Sequence, residues 1–343
     1  MALSSIFKLR TSATPALLEL LTNTTLGTNG AMYRHLDTPT RILEADNPLF
    51  LSLERNEKVI GNVTFCQRGS AWYIRYFAFH SLAQAGAVKK TEDKGNSFLK
   101  RELNQFFDEV FEGKHSEKAV ESMYAYIDPR NDRSKWMSES FGFKVVSRLV
   151  TQSFSRISPK KSNRLVKISD WKEIQPLVED NYGQHDYYVT THAEKAPFYG
   201  LKDESGELLA SCRVTRVNWQ IVRLPGKMGG ILTKVIPYIP FLNKLIKPKR
   251  HTFLVPEIVT AKNNNPALIE ELFSAVLEEE KLNLMLWWID QNDEIYRSVK
   301  DQIAWGLFHK IVGAHPVDVV ERLHPNSTRK TKGPVFVTAY DMV

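Results

Sequence analysis

Acidic residues are missing from one long stretch of this sequence. Between Leu208 and Pro256 there is no Asp or Glu, yet Arg213, Arg216, Arg223, Lys227, Lys234, Lys244, Lys247, Lys249 and Arg250 all fall there. Those nine positives exceed the formal net charge of +7 carried by the 343 residues, so the remainder is slightly acidic and the basic field is local. Cysteine is scarce too. Cys66 and Cys212 stand far apart in β-like runs, at no metal or redox spacing, which excludes a disulfide scaffold and reads as two reduced thiols. No uninterrupted apolar run reaches about 18 residues, so a spanning helix is not expected. The opening MALSSIFKLRTSATPALLELL has neither a continuous apolar core nor a small-residue cleavage site. A cytoplasmic protein is expected.

What is present has the balance of an ordinary globular chain, 43% apolar and 25% charged, at a length comfortable for two domains. SRISPKKSNR, 155–164, is polar and basic and separates two apolar-periodic regions, so it reads as a linker between domains spanning 1–154 and 165–343. The same order of elements appears on either side. LFLSLERNEKVIGNVTFCQ predicts a hairpin, WYIRYFAFH a third strand, and SFLKRELNQFFDEVF a helix with its apolar residues on one face. YAYIDPRNDRSKWMSESFGF then gives strand, Asn-bearing turn, short helix and Gly142-Phe143, leading into the β-like KVVSRLV. In the second half, APFYGLKDESGELLASCRVTRV predicts a hairpin, TFLVPEIVTA a strand, PALIEELFSAVLEEE a helix with Pro266 in its first turn, and LNLMLWWID a strand. NDEIYRSVKDQIAWGLFHKIV predicts a helix, and a final β region ends at PVFVTAYDM. Tyr126-Ile127-Asp128 with Asn131-Asp132 parallels Trp288-Ile289-Asp290 with Asn292-Asp293, so a duplicated αβ unit is expected.

Each half resembles the GNAT acyl-CoA N-acyltransferase superfamily. The resemblance implies an α+β fold with two tandem GNAT-like domains, each a mixed, mostly antiparallel sheet flanked by helices. Asn131, Ser134 and Gly142-Phe143 resemble the second signature of that family. The family holds the pyrophosphate of acyl-CoA in an Arg/Gln-x-x-Gly-x-Gly/Ala loop at a helix N-terminus, where backbone amides and aligned peptide dipoles favour an anion. The matching positions here are Lys94, Gly95, Asn96 and Ser97, with Glu92 at the Arg/Gln position and Ser97 at the last Gly/Ala. With Asn131 they are the expected cofactor-binding residues, and acyl-CoA is the expected co-substrate. The second half offers AKNNNPALIEEL, which has no Gly, so a cradle there would come from Asn264, Asn265 and Ala267.

Acyl transfer to an amine needs a neutral nucleophile, a donor for the tetrahedral oxyanion and a proton for the leaving thiolate. By resemblance, the base is a carboxylate on the central strand and the acid a Tyr in the helix before Gly-Phe. The first half has neither, only His80 at the strand end and Ser138 at the Tyr position. The second half offers Glu257 and Tyr296. An ion pair with a nearby Arg or Lys would equally explain Glu257, and a core position would explain Tyr296. His185 and His192 fall where the substrate-binding region of the family lies, and His35 falls in the matching region of the first half. Arg213 and Arg223 complete the expected substrate-binding set. The His185-x6-His192 spacing is no zinc pattern, and no metal is expected.

GGILTKVIPYIPFLNKLIKPKRH, within an insertion at 226–251, combines aliphatic residues with flanking cations, and Pro237 and Pro240 preclude one straight helix. It suits an element lying in a lipid interface near anionic headgroups, or a flap packed on the protein itself. No nucleic-acid-binding motif accompanies it, so no nucleic acid partner is expected. The two-copy layout and insertion look similar to bacterial ceramide synthase-type lipid N-acyltransferases. That resemblance implies transfer of a fatty acyl group to a long-chain, sphingoid-like or sulfonated amino base at the inner membrane face, and an acidic acyl-carrier protein would suit the basic patch as donor equally well. Two other functions fit the same residues: a soluble N-acetyltransferase acting on a small amine or peptide, and a non-catalytic tandem binding module.

Overall fold

The computed structural model describes residues 6–342 except 28–29, 46, 57, 80–97, 117–118, 191–196, 225, 227 and 241. Two units make up the fold, and neither is one continuous piece of chain. The first comprises 1–29, 34–146 and 318–330; the second comprises 30–33, 147–317 and 331–343. The chain is therefore divided differently from a single cut at 155–164.

In the first unit, β1 (Phe7–Arg10), β3 (Leu49–Arg55), β4 (Lys58–Arg68), β5 (Ala71–Phe79) and β6 (Ser122–Ile127) lie in the order β1-β3-β4-β5-β6. All neighbours are antiparallel except β5 and β6. Helices α1 (Pro15–Asn23) and α2 (Thr38–Leu43) flank β2 (Met32–His35) in sequence. The predicted amphipathic helix is α3 (Phe98–Phe111). It buries Leu103, Phe106, Phe107, Val110 and Phe111, the i, i+3, i+4 spacing of one face, against Phe65, Trp72 and Met123 of the sheet.

The Asn and Gly-Phe signals have a local cause. Asn131 caps α4 (Asp132–Ser140) by accepting the Ser134 amide at 3.1 Å. At the other end Gly142 has φ +80, and the Phe143 amide reaches the Ser138 carbonyl at 3.0 Å. This is the left-handed glycine stop of a Schellman motif. It turns Phe141 and Phe143 inward onto Phe107, with ring centroids at 5.4 and 6.0 Å.

The run after Gly-Phe, β7 (Lys144–Ser155), does not return to β6. From Ser147 onward it belongs to the second unit, where Leu149–Ser155 pair antiparallel with β12 (Leu284–Asp290). The partner of β6 is β13 (His315–Leu323), whose Asp318–Leu323 belong to the first unit. The two copies have thus exchanged their last strands. The expected linker is held as well: Arg164 and Ser162 bind Glu271, and the Lys160 amide donates to Ser274 Oγ at 2.9 Å.

The second unit adds β8 (Leu165–Ile168), α5 (Trp171–Tyr182), β9 (Phe198–Lys202), β10 (Leu208–Arg223) and β11 (His251–Ala261), in the order β8-β9-β10-β11-β12-β7. Only β11 and β12 are parallel among these neighbours. The insertion between β10 and β11 folds as α6 (Gly229–Val235), a 3-10 turn at Ile236–Tyr238 and α7 (Leu242–Leu245). Helix α8 (Pro266–Glu279) begins at the predicted Pro266, with Asn265 as cap. It packs Ile269, Leu272, Phe273 and Val276 on one sheet face, and Ile174 and Val178 of α5 pack on the other.

Two expectations need correction. The helix predicted over NDEIYRSVKDQIAWGLFHKIV is two helices, α9 (Glu294–Val299) and α10 (Leu307–Val312). The first ends at Val299, and the second starts after Gly306, whose φ is +97 and where a Cβ would stand 2.1 Å from the Ser155 carbonyl oxygen. The PVFVTAYDM stretch is also not a strand. It contributes one isolated bridge, Val335 to Asp186, and the short α11 (Ala339–Met342). Among the described residues no helix is long and apolar enough to cross a membrane.

Phe107 is 1% exposed and joins α3 to the Gly-Phe stop. Phe107→Ala is expected to destabilise the protein by about 3–5 kcal/mol, read as a lowered urea midpoint. A loss under about 1 kcal/mol would mean that the Gly-Phe stop does not depend on this contact.

Candidate functional site

The central strand of each unit carries one extra residue at the same place. In β5 the register with β4 jumps from Val63↔Phe77 to Phe65↔Ile74, leaving Arg75 and Tyr76 opposite Thr64. In β11 it jumps from Ser211↔Thr260 to Arg213↔Glu257, leaving Ile258 and Val259 opposite Cys212. Ile258 has φ +50, an unusual conformation for a β-branched residue. Such bulges bend a strand and increase its twist. The parallel ladder ends before each bulge: β5 and β6 pair from Ala71↔Ser122 to Ile74↔Ala125, just short of it, and β11 and β12 pair at Leu254↔Met285, four residues before Ile258. Beyond these pairs the two strands share no ladder, which leaves a notch in the hydrogen bonding of the sheet.

At the first notch the residue following the last pair is Arg75 on β5 and Tyr126 on β6. Tyr126 belongs to a ring cluster with Tyr73 and Tyr124, at centroid distances of 5.1 and 5.9 Å. The cluster lies on the face opposite α3, because Trp72, Ile74 and Met123 between these tyrosines pack against that helix. Three phenols therefore gather on that face, whereas Ser138, on α4, lies on the α3 side with Ile127 and Phe143. The alternation in Trp72-Tyr73-Ile74 and Tyr124-Ala125-Tyr126 was the signal that could have found them. Arg75 also bears on His35, one of the expected substrate-binding residues. His35 is buried, and burial together with the guanidiniums of Arg75 and Arg41 lowers its pKa to about 3. His35 is thus a neutral hydrogen-bonding group at physiological pH. His80, Lys94, Gly95, Asn96 and Ser97 lie outside the described residues, and Asn131 spends its side-chain oxygen on the cap of α4.

The second notch is filled by its own chain. Asp290 Oδ2, at the end of β12, accepts the Val335 amide at 2.9 Å, and Glu257 Oε2, on β11, accepts the Ala339 amide at 2.7 Å. The segment from Val335 to Ala339 therefore crosses the place where these strands part, with Phe336 held between Tyr182 and Tyr188. Tyr182 donates its hydroxyl to the Val259 carbonyl in the bulge at 2.5 Å, and burial pushes its pKa well above the ordinary phenol value. His185 Nε2 lies 2.9 Å from Asp293 Oδ2, while the other oxygen of Asp293 caps α9 at the Ile295 amide.

Glu257 is 3% exposed and ion-paired with Arg213 at 2.8 Å. The pair is cross-strand, on the face opposite Cys212 and Val214, which pack toward α8. Tyr296 packs in that α8-side cluster, with its hydroxyl 3.4 Å from Gln152 Oε1, and burial raises its pKa. The structure therefore places Glu257 and Tyr296 on different faces and joins Glu257 to Arg213 instead. Arg223 is exposed, and its guanidinium donates to the Gly226 carbonyl at 3.5 Å. His192 lies outside the described residues. Of the amides considered for a second phosphate cradle, that of Ala267 is taken by the Asn265 side chain at 2.9 Å. Among the described residues no group of three or more His, Cys, Asp or Glu is arranged to hold a metal.

No family model matches the sequence, and no curated protein matches it. Solved structures do match in fold. A tandem GNAT protein from the clavulanic acid biosynthesis pathway aligns over 94% of this chain and 99% of its own, with TM-score 0.55 and 10% identity. The chain has the tandem GNAT fold. A GCN5-related N-acetyltransferase from Sphaerobacter thermophilus matches this GNAT architecture at TM-score 0.53 and 10% identity, over 96% of this chain and 100% of that one. N-myristoyltransferase from Saccharomyces cerevisiae, solved with bound myristoyl-CoA, matches at TM-score 0.57 and 10% identity, covering 98% and 90%.

Burial also holds His251 down, at about 4. Both histidines refuse protons in the fold that they accept when unfolded, near pH 6.5. Stability is therefore fully present above that pH and falls on acidification toward the folded values. Each contributes a slope of up to about 1.4 kcal/mol per pH unit. His35→Gln is expected to flatten the fall of the urea midpoint between about pH 6.5 and 5, before most carboxylates titrate. An unchanged slope would show that His35 takes up its proton in the fold.

Proposed function

We propose that the protein is an acyl-CoA-dependent N-acyltransferase that moves a fatty acyl group onto the amine of a long-chain, sphingoid-like or sulfonated base. The observation that carries this is the notch beside the bulged central strand of the first unit, in a chain with the tandem GNAT fold. In this reading the pantetheine arm enters between β5 and β6, and the loop holding Lys94 to Ser97 receives the pyrophosphate. A long acyl donor is supported by the myristoyl-CoA bound to the yeast neighbour, and a lipid acceptor by the basic, apolar insertion. The protein would then work from the cytoplasm as a peripheral protein at the inner membrane face, with an acyl-carrier protein as an alternative donor.

The amine lone pair attacks the thioester carbonyl carbon, the C–S bond breaks, and the nitrogen gives up one proton while the departing thiolate takes one. Tyr126, beside the notch, is placed to supply the proton to sulfur, and His80 is the base expected from the sequence. Within the second unit, Glu257 is held by Arg213 and the Ala339 amide on one face, and Tyr296 reaches Gln152 on the other.

The test is release of free thiol from acyl-CoAs ranging from acetyl to palmitoyl, with and without a sphingoid amine. Amine-dependent release confined to long chains is the expected result. Release from acetyl-CoA alone would replace this reading with a small-amine acetyltransferase, and no release from any donor would favour a binding module. Tyr126→Phe is expected to lower kcat by about a hundredfold with KM little changed, because the lost proton matters only as sulfur departs.

A further inference from the structure

The insertion in the second unit turns its polar side inward. Gly229 sits so close to the chain that a Cβ would stand 1.8 Å from the Leu224 carbonyl oxygen. Thr233 Oγ1 donates to the Gly229 carbonyl at 2.7 Å and accepts the Leu224 amide at 3.1 Å. These contacts fix α6 by its small and polar face. The opposite face carries Met228, Ile231, Leu232 and Val235, at i, i+3, i+4 and i+7, all more than 40% exposed. Tyr238 follows at 85% exposed. An amphipathic helix on a water-facing surface is normally arranged the other way round.

The insertion is nevertheless anchored. Ile236, Leu245 and Ile246 are buried in a small cluster that also takes in Ile221 and Phe308. Phe308 ties α10 to it, and α10 exposes Leu307 and Ile311 together with Lys310. A second apolar element, remote in sequence, thus joins the same side. Lys234, Lys244, Lys247, Lys249 and Arg250 are exposed around it, with no acidic residue between Leu208 and Pro256 to offset them.

We infer that this face docks on an anionic lipid bilayer, with the outer side of α6, Tyr238 and the exposed edge of α10 entering the interface and the lysines meeting headgroups. The inference deepens the lipid-amine reading above and rests on it for the kind of surface involved. Charge complementarity selects an anionic surface. Apolar residues at helical spacing, on elements too short to span, select an interface over a transmembrane position.

The test is flotation of the full chain with vesicles of phosphatidylglycerol and phosphatidylcholine, against pure phosphatidylcholine. Binding is expected only to the anionic vesicles and weakens as salt rises. Ile231→Asp with Val235→Asp should reduce partitioning at least about tenfold. Lys244→Glu and Lys247→Glu should each reduce it about fivefold. These positions are exposed, so melting curves matching the parent protein confirm that the variants fold. Absence of binding, or binding untouched by any of these substitutions, overturns the inference. A concentration-dependent dimer abolished by the same substitutions, without vesicle binding, overturns it in favour of a second copy of this chain. Thiol release with a detergent-dispersed amine separates the two proposals. Vesicle binding without release keeps the docking surface and sinks the transferase, and release without vesicle binding does the reverse.

Discussion

A parallel strand pair cannot stay in register past an extra residue in one of its members. That constraint shapes both halves of this molecule. At Arg75-Tyr76 and at Ile258-Val259 the central strand carries an extra residue, the parallel ladder to its neighbour has ended by that point, and backbone groups that would have paired need other partners. The second unit satisfies the need internally, through the Tyr182 hydroxyl on the Val259 carbonyl and through residues 335–339 lying between Asp290 and Glu257. A duplicated fold has in this way become two unequal sites. Asn265 enforces the same inequality by taking the Ala267 amide at the head of α8, where the other copy has a glycine-bearing loop in its sequence.

The strand exchange follows from the same economy. A sheet that ends at β6 or β12 presents an open edge next to the notch, and a strand must cover it. KVVSRLV and the strand from His315 to Leu323 are both β-branched and apolar on alternate residues, so either could cover either edge by local preference. The chain uses β7 on β12 and β13 on β6. Pairing register is a property of partners, and one strand read alone does not name its partner. The sequence therefore showed that the strands exist and did not show where they go.

Signals carried by a few neighbouring residues were legible. Gly142-Phe143 marked a helix stop because only a left-handed residue lets the next phenylalanine turn inward, and Pro266 marked the start of α8. Signals that depend on distant contacts were not. Gly306, at the head of α10, has to be glycine because Ser155, far away in sequence, occupies the space a side chain would need. Glu257 read in the sequence as either a base or an ion-pair partner, and its partner is Arg213 directly across the ladder, together with the Ala339 amide, which no local pattern names. Tyr126 sits on a strand, and the family resemblance points for a donor only to the helix that follows it.

His35 shows what the first unit does to a buried base. Burial and the positive charges of Arg75 and Arg41 act together against its protonated form, and its pKa falls to about 3. An ammonium brought into the same neighbourhood meets the same two penalties, since the physics depends on charge and solvent and not on which group bears the proton. Arg75 stands in the bulge itself, so the extra residue that bends β5 also carries part of the charge that keeps His35 neutral.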